Sequence, residues 1–134
     1  MRAAARSLLV AASLCLAAFH AHADPKVDYL LHCSGCHMPD GRGLEPVVPT
    51  LHGVIGRMLA KPEGRSYIVR VPGVAQAPLN DRKLAEVLNW VLTEFSGATL
   101  PEDFRPLTVA EVSRARGELL ADPLRYRQRH WPGH

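Results

Sequence analysis

The sequence predicts an all-α fold, and three segments predict it. Residues 81–95, DRKLAEVLNWVLTEF, carry Leu84, Val87, Leu88, Val91, Leu92 and Phe95 on one helical face, at i, i+3, i+4, i+7, i+8 and i+11. Residues 25–32 read as a short helix with Val27, Leu30 and Leu31 on one side. Thr108-Val109-Ala110-Glu111 has the capping-box pattern of a further helix start. A chain of 134 residues has room for one domain of ordinary size and a tail, which excludes separate cofactor and substrate domains. At 22% charged and 47% hydrophobic it is not disordered by composition.

The N-terminal segment has the layout of a secretory signal. Arg2 and Arg6 form a positive start, Ser7 to Phe19 is a 13-residue apolar run, and Ala21 and Ala23 are the small residues before a cut. Such a run spans ~20 Å as a helix, short of a ~30 Å bilayer core, so no stable membrane span is expected after cleavage. Cleavage after Ala23 removes Cys15 and both of those arginines. The 111 residues that remain carry 14 basic and 13 acidic side chains, a net charge of about +1. That near-neutral balance gives no electrostatic footprint for nucleic acid. The expected location is the periplasm.

Two cysteines remain, and their setting carries the chemistry. Cys33-Ser34-Gly35-Cys36-His37 has the spacing of a c-type haem attachment site. Two thiols three residues apart suit the two vinyl groups of one porphyrin, and His37 then brings an imidazole to the iron as proximal ligand. A thioredoxin-like pair needs a βαβ setting, and no strand pattern precedes the motif. A zinc half-site needs a second ligand pair at similar spacing, and the sequence has none. One covalently held haem c is the expected cofactor.

Residues around the motif extend the reading. Pro25 suits the first turn of the helix ahead of it, and Pro39-Asp40-Gly41-Arg42-Gly43 after it is rich in turn formers. Pro49-Thr50-Leu51-His52-Gly53-Val54-Ile55-Gly56-Arg57 resembles the Pro-x-Leu-x-Gly-x-x-Gly-Arg segment of mitochondrial-type class I cytochromes c. The chain resembles that family over about residues 25–95. The resemblance implies the class I cytochrome c fold, N- and C-terminal helices crossing around one haem, with Tyr29 and Trp90 at or near the crossing. It implies that the Pro49 carbonyl accepts a bond from His37 and that Arg57 approaches a haem propionate. A carbonyl on the imidazole N–H fixes the ring and raises its basicity. A guanidinium beside a buried carboxylate offsets its desolvation.

The sixth iron ligand is where this sequence departs from the resemblance. Class I members place a methionine in the loop before the last helix. Here residues 71–79, VPGVAQAPL, contain no Met, His or Lys. Met38 follows His37 directly and does not reach the opposite face. Met58 is the remaining candidate for a distal role, with an apolar gap-filler as its plainer reading. His52, His32 and Lys61 are weaker candidates. The expectation is a haem without a strong distal protein ligand, faced by Val74, Ala75 and Ala77, with Gln76 as the hydrogen-bond donor.

The expected organisation is a signal at 1–23, a cytochrome domain at 24–96 and a helical extension at 97–134. Within the extension, Val109, Val112, Leu119 and Leu120 are expected on one side of the helix that Thr108 opens, and Asp122-Pro123 starts a last turn. Its five arginines after Ser113 suit either a docking surface for an acidic partner or a solvated helix face. The function expected is electron transfer between redox partners such as a periplasmic dehydrogenase and a terminal oxidase, without enzymatic residues. The alternatives are a haem with an open distal site for small ligands and a subunit of a periplasmic dehydrogenase.

Overall fold

Proline opens four helices of this chain, because its fixed φ suits a first turn and its missing N–H has no partner there in any case. In the computed structural model, which describes residues 24–44 and 47–132, these are α1 (Pro25–His32), α4 (Pro62–Arg70), α5 (Pro72–Ala75) and α8 (Pro123–His130). Between them lie α2 (Ser34–His37), α3 (Val54–Met58), α6 (Asp81–Ser96), a 3-10 turn (Gly97–Thr99) and α7 (Val109–Arg116). Side chains cap α6 and α8: Asn80 accepts from the Lys83 N–H at 3.0 Å, and Asp122 from the Arg125 N–H at 2.8 Å. Thr108 and Glu111 form the reciprocal capping box. The expected signal at 1–23, with Cys15, lies outside the described residues.

α1 crosses α6, and the aromatic contact expected there is present. The Tyr29 ring lies 5.3 Å from both Trp90 and Phe95, centroid to centroid. All six apolar residues expected on the inner face of α6 are buried. The face expected for α1 is the wrong one. Val27, Leu30 and Leu31 are exposed, Leu31 to 70%, while Asp28 and Tyr29 turn inward. The reason is polar pairing. Asp28 meets Lys83 of α6 at 3.3 Å, and the Tyr29 hydroxyl donates to the Met38 carbonyl at 2.6 Å. Counting apolar residues favoured the side that lacks these partners.

α3, α4 and α5 fill the span that the sequence left as turns and loop. Close backbone approach sets their places. A Cβ on Gly56 would press into the Thr99 hydroxyl and lie 2.9 Å from the Ser96 carbonyl, so α3 rests directly on the end of α6. A Cβ on Gly64 would meet the Met58 carbonyl oxygen, which fixes α4 against α3.

The extension joins the same core. α7 packs on α4 and α6. Arg65 forks onto Glu111 at 2.9 and 3.0 Å, and Asn89 exchanges two bonds with the Leu107 backbone at 3.0 and 2.7 Å. Val112 and Ala115 are buried, but Val109 and Leu119 are exposed, contrary to expectation: Val109 opens the helix on its solvent side, and Leu119 lies beyond the helix end at Arg116, where the register no longer holds. On α8, Tyr126 stacks on Tyr67 with centroids 5.7 Å apart, and Trp131 is buried beside them. Arg114, Arg125 and Arg129 are exposed, whereas Arg116 and Arg127 are half-buried.

Candidate functional site

A cleft of about 610 Å³ opens between α1–α2 on one side and α3 to α6 on the others. It falls within the ~300–1,000 Å³ usual for small-molecule and cofactor sites. Its walls are mostly aliphatic, with Ile55, Ile68, Leu84, Val87 and Leu88 among them. Cys33, Cys36, His37, Pro49 and Met58 all line it.

Local sequence explains the arrangement at the motif. α2 is a single turn, so Cys33, Cys36 and His37 sit close together at the end of α1. Met38 then takes φ 58° and ψ 158°, a region that side chains rarely occupy. The Tyr29 hydroxyl and the Gly41 N–H both hold its carbonyl, at 2.6 and 3.1 Å. This strained turn ends α2 immediately after His37. The buried Tyr29 phenol is pushed up to about 12, chiefly by burial.

The thiols are free, with Cys33 half-buried and Cys36 exposed. Burial, then the Asp28 carboxylate, pushes the Cys33 thiol up. A reactive Cys-x-x-Cys redox pair is tuned in the opposite direction. Among the described residues no cluster of three or more His, Cys, Asp or Glu side chains is arranged to hold a metal ion. Burial lowers the pKa of His37, with the Pro49 carbonyl opposing it, a direction that favours the neutral imidazole a metal ligand needs. Its Nδ1 is buried and forms no hydrogen bond of normal geometry, although Pro49 is near.

Arg127 was missed by sequence reasoning. It reaches the cleft from α8 together with Pro123 and Leu124, and its Nε is buried without a partner. Tyr67 also lines the cleft, and burial pushes its phenol up while the Arg127 charge pulls it down. A buried N–H without an acceptor is costly. Beside a mostly apolar cleft, it suits a cofactor that is a flat hydrocarbon body with carboxylates at its edge. The cap at Asp122-Pro123 marks the helix in the sequence, but no spacing rule says that its residue 127 faces residue 67.

The remaining expected residues divide between the cleft lining and places outside it. Arg57 is exposed and lies outside the cleft lining. Gln76 is exposed and Ala75 is outside the lining, whereas Val71, Val74 and Ala77 form part of it. His32 is exposed. Lys61 donates to the His130 carbonyl at 3.0 Å, and His52 Nε2 lies 2.5 Å from the Asp40 carbonyl. Met58 is 2% exposed.

An all-α fold whose apolar cleft is lined by two thiols and an imidazole has the arrangement that a covalently attached haem requires. Comparison with known proteins agrees. The chain is 32% identical over 106 residues to cytochrome c-552 of Thermus thermophilus, spanning 66% of this chain and 81% of that one. It matches a second cytochrome c-552 of Thermus thermophilus at the same identity over 72% of its length. No family model matches. The chain belongs to the class I c-type cytochromes, electron carriers that bind haem c covalently. Haem supplies an iron that cycles between ferrous and ferric states, and the chain's own groups hold, bury and tune it.

Proposed function

We propose that this protein is a periplasmic carrier of single electrons, exported by residues 1–23 and built from a cytochrome domain at 24–96 with an extension at 97–134. Cys33 and Cys36 attach one haem, His37 is the proximal ligand and Pro49 orients it. The single observation that carries this reading is the wall of the cleft on which these four residues meet. Arg127 takes the propionate that the resemblance allots to Arg57, since Arg127 lines the cleft and Arg57 does not. Among the described residues no helix is long and apolar enough to cross a membrane. Donor and acceptor are redox proteins, a periplasmic dehydrogenase and a terminal oxidase being the fitting classes. The test is voltammetry of the purified holoprotein. A reversible one-electron couple is expected; an irreversible wave, or sustained turnover of peroxide, would contradict a carrier.

A second reading has an observation of its own. Residues 71–79 face the cleft with Val71, Val74 and Ala77, none of which ligates iron. A haem left open on that side binds small ligands as well as electrons. Met58 is the competitor for the sixth position. Loss of a methionine–iron charge-transfer band on Met58→Ala would remove the open-site reading.

A further inference from the structure

The backbone bonds within residues 71–79 are short-range, such as Val74 N–H to the Val71 carbonyl at 2.8 Å and Gln76 N–H to the Pro72 carbonyl at 3.0 Å. α5 has four residues, and Pro72 and Pro78 contribute no N–H donors. Ala77 and Leu79 are buried, and long-range side-chain bonds to the segment come from the extension. Arg116, at the end of α7, donates from Nε to the Ala75 carbonyl at 2.7 Å, from Nη1 to Leu79 at 2.6 Å and from Nη2 to Ala77 at 2.5 Å. Nη1 also meets the Asp81 carboxylate, at 3.1 Å, in the first turn of α6. One planar fork therefore holds three carbonyls across five residues and the start of the next helix. α7 is a firm base for it, docked independently through buried Val112 and Ala115 and the Arg65–Glu111 pair.

We propose that Arg116 is a positioning residue that holds residues 71–79 over the cleft from outside, where no side chain of that segment binds iron. The wall made by Val71, Val74 and Ala77 is thereby kept in place without being ligated. It forms a site for a small neutral diatomic ligand such as CO or NO, with access governed by the extension. The ligand rests on the open-site reading of the haem, with Met58 off the iron; the clamp does not.

The test compares holoprotein of wild type, Arg116→Ala and Arg116→Lys. Lysine keeps the charge, but one ammonium does not bridge three carbonyls as the guanidinium does. Hydrogen exchange of peptides covering 71–79 is expected to quicken about tenfold or more in both variants, while amides of α1 and α6 keep wild-type protection. CO is expected to bind the reduced wild type and to associate faster with both variants. Unchanged exchange at 71–79 in both variants, or full rescue by lysine, would overturn the clamp. Wild type that stains for covalent haem but takes up no CO would overturn the ligand site. Absence of haem stain would instead strike the cofactor reading, with the exchange result still deciding the clamp.

Discussion

Replacing Tyr29 by Phe removes one hydroxyl from the crossing of α1 and α6 and leaves the ring contacts in place. That hydroxyl donates to the Met38 carbonyl at 2.6 Å. The carbonyl keeps its bond from the Gly41 N–H, so no acceptor is orphaned, and the loss near neutral pH is about 1 kcal/mol. Alkaline pH separates the two proteins further. Burial lifts the Tyr29 phenol from 10.0 to about 12, and the side chain is fully buried. A phenol with a raised folded pKa contributes stability that is complete below its unfolded pKa and is lost as pH rises through the folded one. Between these two values wild type loses about 1.4 kcal/mol per pH unit, and Tyr29→Phe has no phenol at this position to lose. The advantage of wild type is therefore about 1 kcal/mol at pH 8, vanishes near pH 11 and reverses above it. Denaturant unfolding of both holoproteins from pH 8 to pH 11.5 reads this directly. A constant gap across the range would refute the buried donor.

Four further outcomes follow from the geometry. Glu111 is held down at about 2 by the Arg65 guanidinium, but it is about one-third exposed, so solvent screening reduces its contribution to ~1 kcal/mol. Glu111→Gln is expected to lower stability by that amount at pH 7, with the difference fading as pH falls from 4.5 towards 2 in thermal melts. Met38→Gly relieves the φ 58° turn and is expected to add ~1 kcal/mol in denaturant unfolding. Gly56→Ala drives a methyl into Thr99 and the Ser96 carbonyl and is expected to cost more than ~2 kcal/mol in the same assay. Arg127→Met removes a cation beside the haem cleft, and voltammetry is expected to show a midpoint potential lowered by tens of millivolts.

Much of the local structure was legible in the sequence, for local reasons. α6 announces itself because six apolar residues repeat at helical spacing and all six are buried. The cofactor class rests on five consecutive residues, because haem attachment demands its thiols and imidazole at close range. The inner face of α1 was not legible. Its buried residues are an Asp and a Tyr whose partners, Lys83 and Met38, are set by the crossing rather than by the helix. The part played by the extension was hidden for the same reason. Arg116 meets residues 75–81 and Arg127 meets the cleft only through tertiary contact between distant segments. Arg57 lies in a recognisable motif, yet it stays outside the cleft while an arginine without a motif lines it.

The most direct test of a covalent haem on Cys33 and Cys36 is the intact mass of the purified protein under denaturing conditions. The predicted mass is that of residues 24–134 plus one haem, and it falls by that haem in Cys33→Ala/Cys36→Ala. A wild-type chain that sheds its haem on denaturation, or that shows only the polypeptide mass, would contradict it.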